Sequence, residues 1–241
     1  MGRTMSFYDL RDAMAQPGCP VCRLTAAAVE HYLDTLLWEN VNDAGARQQI
    51  RMARGFCNQH AWQLVAGGSS LGAVILMRDV LQNVLKLLEH AEFQAPAVSL
   101  RRRAKHALNG RGLPPANTQL VAELGPQAPC PACAQAKTTE EVLIATLIEG
   151  LLGDDGLLSA YRASEGMCLK HFRQALAEAR NPAVFEALVD VQRAKWQQLV
   201  EQLSEIVRKE DYRFRNEPRG EEVGASLRAI GALCGPYASA K

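Results

Sequence analysis

Cys19-Pro20-Val21-Cys22 and Gly55-Phe56-Cys57-Asn58-Gln59-His60 are echoed 111 positions later by Cys130-Pro131-Ala132-Cys133 and Gly166-Met167-Cys168-Leu169-Lys170-His171. Each copy reads C-P-x-C, a gap of 34 residues, then C-x-x-H, and the copies align without insertion. Three thiols and one imidazole form the donor set of a tetrahedral soft-metal site, and the chain carries that set twice. The simplest expectation pairs the motifs within each copy. Cys19, Cys22, Cys57 and His60 would hold one ion, and Cys130, Cys133, Cys168 and His171 a second.

In a C-x-x-C pair two sulfurs can converge on one ion, and the proline at the first intervening position stiffens the turn. Gly55 and Gly166 stand where a residue in the left-handed conformation would end a helix. Each C-x-x-H would then open the next helix, with Cys and His three residues apart on one side. Zinc satisfied by four protein ligands has no open position for water or substrate, so two such ions read as structural and hydrolytic zinc chemistry is disfavoured. An iron–sulfur cluster is the alternative cofactor. Dithiol exchange resembling that of thioredoxin is disfavoured because the chain lacks a strand before the motif and the matched C-x-x-H pairs would go unexplained. Arg23, Arg54 and Lys170 flank the ligands and could offset the net charge of about −1 that three thiolates leave around a divalent ion.

Outward from the motifs, apolar residues recur at helical spacing and no stretch alternates as a strand does. Leu24, Ala27, Ala28, Tyr32, Leu36 and Leu37 make one helical face, and Ala136, Val142, Leu143, Leu147 and Leu151 a looser counterpart. The second of these is expected to start at Thr138-Thr139-Glu140-Glu141, with acidic residues in its first turn. Asp43/Gly45 and Asp154/Gly156 share the 111-residue offset and mark a turn before a short helix. Long helices are expected at Leu71–Phe93 and Pro182–Lys209. The fold class is therefore all-α: two pseudo-repeated helical bundles, each pinned by a Cys3His site. The expected domains are a first repeat over 1–100, a basic Gly/Pro-containing linker over 101–124, a second repeat over 125–210, and a tail over 211–241 that packs on the body.

With 241 residues, 48% of them apolar, there is enough material for two cores. Lys and Arg total 27 against 26 Asp and Glu, so no global field draws the protein to nucleic acid or an anionic membrane. The basic run Arg101-Arg102-Arg103 has no interleaved aromatics and reads as solvated linker. No stretch has the length of a membrane span, and Met1–Leu10 lacks the apolar centre of a secretory signal. A cytoplasmic location is expected. There, paired cysteines favour metal over disulfides. Cys234, His31, His90 and His106 fall outside the repeat and read as ordinary core residues. Trp38, Trp62 and Trp196 read as packing residues on apolar helix faces.

At these motifs, joined to the tail Asp211-Tyr212-Arg213-Phe214-Arg215-Asn216-Glu217-Pro218, the chain resembles a bacterial protein family of unknown function. The resemblance implies a bacterial cytosolic setting and transfers no catalytic residue. The expected function is that of a zinc-binding interaction or adaptor protein, with a protein as its macromolecular partner and no catalytic constellation of its own. The alternatives are an iron–sulfur redox sensor or electron carrier, and an enzyme whose cleft between the repeats is braced by distant metals.

Overall fold

Helical periodicity governs the described chain: the computed structural model describes residues 4–66, 70–95, 116–153 and 155–236, and these form eleven α-helices and no strand. In order they are α1 (Met5–Met14), α2 (Pro20–Trp38), α3 (Ala44–Met52), α4 (Asn58–Val65), α5 (Leu71–Glu89), α6 (Thr118–Leu124), α7 (Pro131–Gly150), α8 (Leu158–Ala163), α9 (Leu169–Glu178), α10 (Pro182–Lys209) and α11 (Ala225–Cys234). The start of α2, α4 and α5 at positions 20, 58 and 71 is matched by α7, α9 and α10 at 131, 169 and 182, always 111 later.

Local chemistry accounts for these boundaries. Pro20 and Pro131 open α2 and α7, where proline's missing N–H costs no hydrogen bond. The second of the pair thus begins seven residues before Thr138, correcting the expected start, and Glu140 lies in mid-helix. Asp43 caps α3 by accepting the Ala46 N–H at 2.6 Å, and Asn181 caps α10 through the Ala183 N–H at 2.9 Å. Helix α10 has the expected bounds, while α5 stops at Glu89, four residues short of Phe93. The stretch read as linker ends in helix α6. Its basic run, with His106, lies outside the described residues, as does Asp154.

The chain forms two compact units, and they are not the two halves of the sequence. The first comprises residues up to His31 together with those from Gln135 onward; the second is Tyr32–Ala134. The first unit's core brings Phe7, Leu10 and Met14 of α1 against Leu147 and Leu151 of α7, Tyr161 of α8 and Leu188 of α10, all nearly inaccessible to solvent. Helix α11 packs on α9 and α10 in this unit. The second unit's core is smaller, built on Leu36, Val41, Ile50, Leu76 and Val80. A two-pronged ion pair from Arg51 to Asp79, at 2.7 and 2.8 Å, ties α3 to α5 there. Arg54 adds to it by donating to the Glu123 carbonyl at the end of α6 and to Asn83 of α5.

Both unit boundaries fall inside helices. α2 opens in the first unit and continues into the second, and α7 does the reverse. No helix among the described residues is long and apolar enough to cross a membrane.

Candidate metal centres

All eight repeated donors lie at helix starts. Cys19 and Cys130 immediately precede α2 and α7, with Cys22 and Cys133 in the first turn. Cys57 and Cys168 are the N-cap residues of α4 and α9, in extended conformation, and His60 and His171 lie in the turn that follows. The glycines ahead of them adopt the left-handed conformation expected, with φ of +99° at Gly55 and +86° at Gly166.

The donors assemble in crossed pairs, however. Cys19 and Cys22 meet Cys168 and His171 in the first unit; Cys57 and His60 meet Cys130 and Cys133 in the second. The expectation that each half closes on its own ligands is overturned, because the hydrogen bonds that seat each pair join segments from opposite halves of the sequence.

Short ties seat each pair beside its actual partner. The Gln127 and Ala128 N–H groups both reach the Met52 carbonyl, at 2.7 and 3.2 Å, bringing the approach to Cys130 against the end of α3. The Gly18 N–H donates to Glu165 Oε2 at 2.8 Å, anchoring the approach to Cys19 beside Gly166. In the first unit the loop before Cys168 is also clasped from within. Gln192, fully buried, accepts the Tyr161 hydroxyl at 2.7 Å and the Met167 N–H at 2.9 Å, and its amide donates to the Met167 carbonyl.

Within each group the donor atoms lie within 4.8 Å of one another. His171 Nδ1 stands 3.4, 3.3 and 3.3 Å from the sulfurs of Cys19, Cys22 and Cys168. His60 Nδ1 stands 3.3, 3.6 and 3.3 Å from those of Cys57, Cys130 and Cys133. The sulfur pairs Cys22/Cys168 and Cys57/Cys133 are both 3.6 Å apart. These separations suit the edges of a tetrahedron of donors that could hold a metal ion.

Electrostatics points the same way. Without a cation the crowded thiols cannot all ionise. Cys22 is pushed up, first by its hydrogen bonds with the Cys168 and Cys19 sulfurs and then by burial, while Cys168, stabilised by Cys19 and Cys22, is held down. Burial, then the neighbouring sulfur of Cys57, pushes Cys133 up to about 12. Burial also acts against Cys57, yet the His60 N–H and the Cys133 and Cys130 sulfurs outweigh it and lower it. His171, which burial alone would depress, is raised to about 10 by Cys168 and Cys19, so this cluster draws positive charge onto itself. Burial lowers His60, favouring the neutral imidazole a metal needs. Both donor sets thus fit a divalent cation.

Of the cations expected to balance the sites, Lys170 bonds Glu140 at 2.5 Å, and the guanidinium groups of Arg23 and Arg54 are spent on the Pro17 and Glu123 carbonyls. Glu140 escaped the sequence reading. It is buried, and its Oε1 lies 3.3 Å from His171 Nε2, although that contact is not aligned as a hydrogen bond. Its signal was a carboxylate on the apolar stripe of α7, one turn before Leu143 and Ile144. His31, His90 and Cys234 belong to neither group and are exposed rather than buried, which corrects the core reading. Trp38 and Trp62 are likewise 81% and 63% exposed, whereas Trp196 packs edge-to-face on Phe172.

Among known proteins, the family described as "Family of unknown function (DUF6062)" matches residues 1–240. A protein described as "Uncharacterized 23.9 kDa protein in xynA 3'region", from Caldicellulosiruptor sp. (strain Rt8B.4), is 25% identical over 195 residues, 81% of this chain and 83% of that one. No solved structure gives a significant match.

Proposed function

We propose, for a chain that belongs to the DUF6062 family of unknown function, that it is a zinc-binding helical adaptor whose two closed Cys3His sites hold its composite units together. The mutual spacing of the donors is the observation that carries this reading. Zinc–sulfur and zinc–nitrogen bonds of about 2.3 and 2.1 Å in a tetrahedron require sulfur–sulfur edges of about 3.8 Å and sulfur–nitrogen edges of about 3.6 Å. The separations of 3.6 Å and 3.3–3.6 Å agree with these values. A cluster would have to seat several irons and sulfides between the ligands, and four donor atoms mutually within 4.8 Å leave space for one ion only.

Three thiolates and an imidazole complete zinc's coordination, so its contribution is to folding and not to reaction chemistry. The duplicated motif and the matched helix starts support an origin by duplication. The partner in this reading is a protein and the setting the bacterial cytoplasm. Support comes from the apolar side chains left on the second unit's surface, among them Trp38, Trp62, Leu71, Leu81 and Leu85. Elemental analysis of protein purified without added metal tests the proposal. Two zinc ions per chain are expected, and iron with acid-labile sulfide, or clearly less than one zinc per site, would overturn it.

A further inference from the structure

The two donor sets are alike in ligands and unlike in surroundings. In the first unit Cys168 and His171 are 1% and 2% exposed. Behind His171 stands Glu140, itself fixed by Lys170 Nζ at 2.5 Å and by Gln174 Nε2 at 3.3 Å. The offset of 111 puts Val29, Gln59 and Gln63 at the positions equivalent to Glu140, Lys170 and Gln174. Only the glutamine recurs; the position equivalent to Glu140 holds a valine and that of Lys170 a glutamine. Among the described residues no carboxylate pairs with His60, whose Nδ1 contacts are the three thiols. Cys133 in that set is exposed, and Cys57 and Cys130 are half-buried.

A carboxylate behind a ligating imidazole holds the ring in orientation, fixes the proton on the outer nitrogen, and makes the inner nitrogen a better donor; losing it costs about 10–100-fold in metal affinity. Exposure acts in the opposite direction. A thiolate in contact with water is open to protons, chelators and competing thiols, each of which can take one ligand at a time from the ion.

Resting on the zinc reading above, we propose that the two sites have different tasks: Cys19/Cys22/Cys168/His171 is a permanent site locked by Glu140 as a positioning residue, and Cys57/His60/Cys130/Cys133 is the exchangeable one, which surrenders its ion through Cys133. In metal exchange the ion passes from thiolates to a competing ligand and each freed sulfur takes up a proton. No electron is transferred. The second unit can then release zinc to a cellular thiol or chelator while the first stays loaded.

The test uses the full-length protein as purified, after its metal content has been measured. Fewer than two ions per chain at that stage would count against the zinc reading itself. With two present, release to a chromophoric chelator should be biphasic, one ion leaving at least about tenfold faster than the other. Cys133→Ser should abolish the fast phase and keep the slow one. Glu140→Gln should accelerate the slow phase about tenfold and leave the fast one unchanged. Because a merely structural substitution could loosen the whole unit, the protein is also loaded with 113Cd and its two resonances followed by NMR. Glu140→Gln should shift one of them, the same one that persists in Cys133→Ser. Release of both ions in a single phase, a fast phase that survives Cys133→Ser, or a Glu140→Gln protein with both resonances unmoved would overturn the proposal.

Discussion

Crossed pairing makes one experiment decisive: removing ligands two at a time and counting the ions left. In the structure Cys19 and Cys168 share a site, and Cys57 belongs to the other. Replacing Cys19 with Ser leaves its ion two sulfurs and one nitrogen, and adding Cys168→Ser damages a site already lost. The double variant Cys19→Ser/Cys168→Ser should therefore retain one ion per chain, held by Cys57, His60, Cys130 and Cys133. Cys19→Ser/Cys57→Ser breaks both sites and should retain none. The stability changes follow the same logic. A structural zinc contributes on the order of 10–16 kcal/mol of apparent binding free energy at neutral pH, as much as the whole stability of a typical domain, which is about 5–15 kcal/mol. Loss of one ion should melt the unit that held it, with the second substitution in the same site adding little and one in the other site adding a full second loss. Native mass spectrometry gives the ion count and calorimetry the number of melting units. Retention of one ion by Cys19→Ser/Cys57→Ser, with none in Cys19→Ser/Cys168→Ser, would refute the crossed arrangement and restore pairing within each half.

Gln192→Leu should destabilise the first unit by about 2–3 kcal/mol, because it strands the buried Tyr161 hydroxyl and Met167 N–H together; a thermal midpoint within 1 °C of the parent would count against the clasp. Residues 1–95 and 116–241, produced separately, should each fail to give a metal-loaded monomer, and mixing them should restore a 1:1 complex with two ions; sedimentation showing a folded half with one ion would defeat this. Arg51 holds the Asp79 carboxyl below the usual range despite some burial. Its contribution, about 1 kcal/mol for a two-pronged pair, is present above the ordinary carboxylate pKa near 4 and is lost as pH falls through the depressed value. Asp79→Asn should accordingly lower the second unit's stability at pH 7 and make no difference in strong acid, which urea titrations at the two pH values would check.

The two kinds of Cys/His motif that form the groups, the helical class and the turn glycines were legible in the sequence because each depends on residues within one helical turn. Proline opens a helix, a cysteine caps the next, and a glycine before it takes the positive φ. How those residues combine was beyond the sequence for a physical reason built into the doubled motif itself. Two identical C-P-x-C pairs facing two identical C-x-x-H pairs yield two complete Cys3His sets whether they join within a half or across halves, so no spacing argument separates the two. The tertiary structure decided it through contacts inside each unit: the Gln127 and Ala128 N–H groups on the Met52 carbonyl in one, and the Gly18 N–H on Glu165 in the other. The same holds for Glu140: its sequence context looked like the acidic first turn of a helix, and only the packing of α7 against α9 made it the neighbour of His171. What the chain fixed by itself was the chemistry of its corners; which corners meet was left to hydrogen bonds between distant segments.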